Sequence, residues 1–235
     1  MRERIKKAID KCCIAAAALV AVMFAYTAFA GGGASPALST PGGEGALVIA
    51  VDAGHGGFDG GASGVDSGIH ESGINLSVAK LLKQELEKQG ATVIMTRETE
   101  EALGSDKNSD MRKRREIINQ PGIDIVVSVH MNKFSDRSIY GPMAFYMKGS
   151  TEGQLLAEFV IFEVCDAIGH PQRFANPGDY FMIRECKAPA VLIECGFLSN
   201  SSDEAKLQDP GHQLKLAQGV AKGIMGYLND KKHVD

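Results

Sequence analysis

Residues 47–64 read LVIAVDAGHGGFDGGASG, and this stretch decides the fold. Residues 47–51 are apolar at odd and even positions alike, and they run straight into glycine and polar side chains. A run that short and that uniform predicts a strand buried on both faces. Strands of that kind belong to largely parallel sheets with helices above and below. The next loop, GHGGFDGGASG at 54–64, carries more glycine than turn geometry requires. Such density suits a backbone that must approach a ligand closely. A phosphate-binding loop is the obvious rival, but the Lys-Ser/Thr ending that would meet phosphate and magnesium is missing.

Outward from that strand, helices and strands alternate. The spacing of Leu76, Val78, Ala79, Leu82 and Leu86 predicts a helix over 74–89, ended by Gly90. Further strands are expected at 92–96, 123–129, 143–147 and 190–193. Further helices are expected at 109–119, stopped by Pro121-Gly122, at 153–168, and over 205–228 with a break around Pro210-Gly211. The pattern is that of a single α/β domain, a mostly parallel twisted sheet covered by helices on both faces. No internal repeat and no second module flank it. Arg112, Lys113, Arg114 and Arg115 fall inside the helix expected at 109–119. Four consecutive helical positions point in different directions, so this run reads as a solvated surface with one inward-facing member. A formal net charge of −4 also argues against nucleic acid as the partner.

The polar residues fall where the strands end. His55 follows the first strand, His130 follows Ser128-Val129, and Glu194 stands where Ala190-Val191-Leu192-Ile193 runs out. In open α/β sheets, ligand sites form beyond the carboxyl ends of strands, so two imidazoles and a carboxylate gather at one edge. Each alone could equally be a hydrogen-bonded loop residue. Glu71, just before the 74–89 helix, is open to two readings. It could serve the helix dipole, worth up to about 1 kcal/mol, or it could complete a His, Glu, His ligand set. That set leaves a fourth tetrahedral position for water, as catalytic rather than structural zinc does.

The blocks VDAGHGGFDGGASG, HESGINLSVAKLL, VIMTRE, MRKRREIIN, VVSVHMN and VLIECGFLSN occur in an order that resembles the zinc-dependent N-acetylmuramoyl-L-alanine amidases of amidase type 3. They run from Val48 to about Tyr227. The resemblance implies that His55, Glu71 and His130 bind one Zn2+ and that Glu194 is the catalytic acid or base. It implies a peptidoglycan substrate, cut between N-acetylmuramic acid and L-alanine. Arg114 and Asn119 match a recurring pair, here read as structural. Ala53 stands where proline is commonest, and His70, a rival to Glu71, where a lysine or another polar residue is usual. Cys195 invites a thiol-nucleophile reading, but neighbours on a strand face opposite sides. Size, a short apolar N-terminal segment and the lack of a wall-binding module are similar to the germination-specific, spore-cortex members, on the route to muramic-δ-lactam. A vegetative cell-wall amidase, a non-cleaving peptidoglycan binder, and a hydrolase using Ser128 or Cys195 are the alternatives. The segment 131–142 leaves little room for a blocking helix, so control by an accessory protein that governs zinc loading is carried as a hypothesis.

The chain's 235 residues, 44% hydrophobic and 23% charged, suffice for one ordinary domain with an appendage. Arg2, Arg4, Lys6, Lys7 and Lys11 precede an uncharged stretch at 12–30, a pattern that directs the downstream chain across a membrane. Ala28-Phe29-Ala30 has the small-x-small pattern of a signal-peptidase site, while the same stretch is long enough to serve as a membrane tether. Residues 1–30 are therefore a signal peptide or anchor, 31–45 a Gly/Ser/Pro linker, and 46–230 an extracytoplasmic catalytic domain. Cys165, Cys186 and Cys195 do not space as a disulfide framework and read as small buried residues. A Cys186–Cys195 bridge is the alternative in an oxidising compartment.

Overall fold

The computed structural model describes residues 47–232. The expected leader or anchor at 1–30 and linker at 31–45 lie outside the described residues. In chain order the elements are β1 (Val48–Ala53), α1 (Glu71–Lys88), β2 (Thr92–Met95), α2 (Lys107–Ile118), β3 (Ile125–Asn132), β4 (Met143–Met147), α3 (Thr151–Ile168), β5 (Asn176–Gly178), α4 (Phe181–Arg184), β6 (Ala190–Phe197), α5 (Ser201–Leu207) and α6 (Pro210–Lys232). One six-stranded sheet runs β2-β1-β3-β6-β4-β5. β2, β1, β3 and β6 are mutually parallel, and β4 joins β6 antiparallel.

The α/β class and the helices on both faces match the expectation. Residues of one parity in the central strands point into a large apolar core: Ile49, Val51 and Ala53 of β1, Ile125, Val127 and Val129 of β3, Val191, Ile193 and Cys195 of β6. That core takes Leu76, Ala79, Leu82 and Leu86 from α1, Leu156, Val160 and Val164 from α3, and Leu216, Val220 and Ile224 from α6. α6 approaches α3 closely because Gly219 and Gly223 present no side chain; a Cβ at Gly219 would sit 2.8 Å from the Cα of Val164. The other parity faces a smaller apolar cluster of Ala50, Val126, Ala190 and Leu192 with Ile118 of α2 and Met182 and Ile183 of α4.

Helix ends obey local chemistry. Asp106 caps α2, its carboxylate accepting from the backbone N–H of Asn108 at 2.9 Å and of Ser109 at 3.0 Å, while Ser109 Oγ accepts from Asp106 N. Such a cap is worth about 1 kcal/mol. Gly169 closes α3 in the left-handed conformation at φ 68°, which glycine adopts without penalty. β5 and α4 carry no apolar periodicity, and the sequence reading missed both. β3 and β6 also run further than expected, to Asn132 and Phe197. His130 and Glu194 therefore lie inside strands rather than beyond them, a correction that matters for the site.

Candidate active site

Because side chains alternate along a strand, the parity that sends Val129, Ile193 and Cys195 into the large core sends their neighbours to the opposite face. β3 and β6 are paired with His130 opposite Glu194, so those two side chains stand next to each other. His55 comes from the glycine loop after β1, and Glu71 is the first residue of α1. All four, with Asp52, line a cleft of about 300 Å³ whose other walls are Met111, Arg114, Tyr180, Phe181, Met182 and Leu192. A larger hollow of about 580 Å³ lies elsewhere, between His170 and α5 and α6. Its buried carboxylate, Asp203, is already taken by the N–H groups of Gly141 and Phe197.

Ligand-type atoms of His55, Glu71 and His130 all lie within 4.8 Å of one another, among the described residues the one such group. Glu71 Oε1 is 2.9 Å from His130 Nδ1 and 3.3 Å from His55 Nε2. The second ring nitrogen of His55, Nδ1, lies 3.0 Å from Asp59 Oδ1, an ion-pair distance without hydrogen-bond geometry. Glu71 is 3% exposed. Its Oε1 also accepts from Met131 N and its Oε2 from Ala62 N at 2.8 Å. Burial opposes ionisation of Glu71, but the hydrogen bonds and positive fields of His130 and His55 outweigh it and hold the carboxyl well below the usual carboxylate range. For His55, burial opposes charging too, and Glu71 and Asp59 more than offset it, raising its pKa.

Two glycines are required by these contacts. A Cβ on Gly54 would overlap the imidazole of His130. One on Gly61, which has φ 68°, would lie 2.6 Å from Glu71 Oε2 and 2.8 Å from the ring of His55. The glycine density of the loop is thus the close backbone approach the sequence suggested, made to side chains of the cleft itself.

Glu194 is 8% exposed, and its Oε2 is buried with no hydrogen-bond partner. Burial pushes its pKa up to about 7; the field of His130 opposes this and that of Glu71 adds to it. A carboxylate of that kind exchanges protons near neutral pH, as a general acid–base must. Tyr180 flanks it, its phenol pushed up by burial and by the Glu194 charge.

The remaining sequence readings resolve simply. His70 is exposed, with Nδ1 3.4 Å from Ser63 Oγ, and takes no part in the cluster. Cys195 faces the large core on the side away from Glu194, and burial raises its thiol far above the range of a working thiolate. Ser128 Oγ donates to Asp52 Oδ2 at 2.7 Å and is fully buried. Neither has the arrangement of a nucleophile. Cys186 and Cys195 are both free thiols on opposite sides of the sheet. Of the basic run, Arg114 alone turns inward, at 2% exposure. Asn119 ties the end of α2 to the segment before β6 through Glu185 O and Lys187 N. Residues 133–142 contain no helix. The sequence reading missed Asp52, Asn75, Arg97 and Asp110, whose polar side chains sit on faces that look buried; that very conflict was the available signal.

Comparison with known proteins agrees with this geometry. Residues 49–226 match the Amidase_3 family, N-acetylmuramoyl-L-alanine amidase. The germination-specific N-acetylmuramoyl-L-alanine amidase of Bacillus subtilis is 34% identical over 194 residues, 78% of this chain and 81% of that protein. Among solved structures, the CwlD amidase from Clostridioides difficile, in complex with the GerS lipoprotein, superposes with a TM-score of 0.75 at 33% identity, covering 78% of this chain and 99% of that one. The catalytic domain of CwlV, an N-acetylmuramoyl-L-alanine amidase from Bacillus (Paenibacillus) polymyxa var. colistinus, gives 0.71 at 30% identity over 78% and 98% of the two chains. The chain belongs to the Amidase_3 family of N-acetylmuramoyl-L-alanine amidases, and its substrate class is peptidoglycan. A cell-wall substrate puts its place of action outside the cytoplasm. No helix among the described residues is long and apolar enough to cross a membrane.

Proposed function

We propose that the cleft is a one-zinc amidase centre in which His55, Glu71 and His130 hold the metal and Glu194 moves the proton. The observation that carries this is the convergence of two imidazoles and one carboxylate within 4.8 Å, with the unpartnered Oε2 of Glu194 in the same cleft. The donor set fits zinc: nitrogen and oxygen ligands, three in number, with a fourth position left for solvent. Zinc bound there supplies a Lewis acid that polarises the scissile carbonyl and acidifies water.

The chain's own residues do the rest. Glu194 Oε2, free of other partners, takes the proton of the attacking water and delivers it to the departing alanine nitrogen. Nε2 of His55 faces the ligand set, with the Asp59 carboxylate at ion-pair distance from Nδ1 on the other side of the ring. Tyr180, Phe181 and Met182 wall the cleft that holds Glu194. Ligand imidazoles must be neutral, so protons compete with the metal.

The finer setting is spore-cortex peptidoglycan, on the route to muramic-δ-lactam. The likeness to a germination-specific amidase and to CwlD supports it. By the same likeness, an accessory lipoprotein partner of the kind bound to CwlD is proposed for this chain. Residues 12–30 are proposed to lead or tether the domain out of the cytoplasm. Cortex muropeptides from a strain lacking the protein test the setting. Loss of muramic-δ-lactam is expected; an unchanged cortex with unseparated cells would point to vegetative wall instead.

A further inference from the structure

His55 is the one non-glycine residue with positive φ among the described residues, at 61°. A histidine in that region persists only where its surroundings fix it. What fixes it is a layer of buried donors on three consecutive carbonyls. Ala53 O accepts from Arg97 Nε at 2.9 Å and Arg114 Nη1 at 2.7 Å. Gly54 O accepts from Arg97 Nη2 at 2.9 Å and Asn75 Nδ2 at 3.1 Å. His55 O accepts from Arg114 Nη2.

Two of these donors also hold the helix that carries Glu71. Arg97 Nη2 donates to Ser72 O at 2.8 Å, one residue beyond Glu71. Asn75 Nδ2 donates to Glu71 Oε1 itself at 3.1 Å. Arg97 is 3% exposed, and its hydrogen bonds all go to carbonyls: Ala53, Gly54, Ser72 and Thr99. A buried guanidinium without a carboxylate bonded to it is a costly group, and its geometric yield is the bridge between the two segments. Asn75 is fully buried with its Oδ1 unpartnered, so it serves as a donor alone.

We propose that Asn75 and Arg97, which meet at the carbonyl oxygen of Gly54, are positioning residues that set the spacing of His55 and Glu71 and hence the metal affinity of the site. The inference rests on the zinc reading above. Arg114 is engaged with Asp52 and Asp110 and serves the β1 side only. Arg97 and Asn75 are the two that span from β1 to α1.

The test uses the full chain as wild type, Asn75→Ala, Arg97→Lys, the double variant and Glu71→Ala. Zinc affinity is measured by competition with a chromogenic chelator, beside the melting temperature of the metal-free protein and the visible spectrum of the cobalt-substituted form. Each single variant is expected to weaken zinc binding about 10- to 100-fold and to shift the cobalt bands. Lysine is expected not to substitute, since one ammonium cannot span four carbonyls. The double variant should lose less than the product of the single losses, because both act through one carbonyl. Asn75→Ala leaves Arg97 in place, so it gives an answer even if Arg97→Lys fails to fold. A lowered melting temperature with zinc affinity and cobalt spectrum unchanged would overturn the proposal, as a merely structural role. If Glu71→Ala abolishes zinc binding while Asn75→Ala does not weaken it, the proposal falls and the zinc reading stands. If wild type binds no zinc, both fall together.

Discussion

The two faces of the sheet are built from the same strands and do opposite things. On one face, Val51, Val127 and Ile193 meet α1, α3 and α6 in a dry core. One residue away on each strand, Asp52, Ser128 and Glu194 point to the other face, where α2 and the single turn of α4 give thinner cover. There Asp52 gathers Thr96, Ser128 and Arg114, and Arg114 reaches on to Asp110. The period of two thus separates packing from chemistry within three strands. One face is apolar throughout while the other keeps buried charge: Asp52 and Arg114 are paired, and the Oε2 of Glu194 is left without a partner.

That separation can be broken from either side. The largest effect is expected for His130→Ala, which should abolish zinc binding and reduce amide cleavage to background while the fold survives; metal analysis and circular dichroism check it. Next comes Arg114→Ala, which strands the buried Asp52 carboxylate and should cost about 3–5 kcal/mol of stability, read by urea unfolding. Leu82→Ala in the dry core should cost about 2–5 kcal/mol yet leave zinc stoichiometry unchanged, which is the contrast the two faces predict.

A smaller, pH-dependent effect separates them further. Burial would raise the Asp52 carboxyl, but Arg114, His130 and the hydroxyls of Ser128 and Thr96 outweigh it and hold it below the ordinary value. A depressed carboxylate contributes stability that is present above its unfolded pKa of about 4 and lost as pH falls through the folded value. Asp52→Asn should therefore be less stable than wild type at pH 7, with the gap closing in acid; unfolding at pH 7 and pH 3 checks this. His55 runs the other way. Its pKa is raised above 6.5 in the metal-free protein, so zinc affinity should weaken as pH falls through that raised value, as a chelator competition series would show. The smallest effect is expected for Cys195→Ala, one residue from Glu194 but on the dry face, where activity should be unchanged.

How much of this was legible in the sequence divides along the same line. The dry face was readable because period and apolar content speak directly: β1, β4, α1 and α3 were expected within a few residues of where they stand. β5 and α4 were not, since Asn176-Pro177-Gly178 and one turn of helix carry no periodic signal; β5 is defined by its pairing with β4 and α4 by two backbone hydrogen bonds of its own, to Tyr180 O and Phe181 O. The strand ends were misplaced at His130 and Glu194, because a polar residue inside a strand looks like the end of one. His55, His130 and Glu194 were grouped from their places at strand ends, whereas giving Glu71 to the metal and proton transfer to Glu194 rested chiefly on the family resemblance. Asn75 and Arg97 were passed over although Asn75 shares the apolar face of Val78, Ala79 and Leu82, because a polar residue on a buried-looking face does not say which partner it meets. Only the three-dimensional arrangement brings both to Gly54 O.

The most direct test of the account is Glu194→Ala, assayed for bound zinc and for new alanine amino termini released from peptidoglycan. About one zinc per chain is expected, as in wild type, with cleavage reduced at least about 10²- to 10⁴-fold, the usual worth of a positioned general base. Full release of alanine termini by that variant, or loss of its zinc, would contradict it.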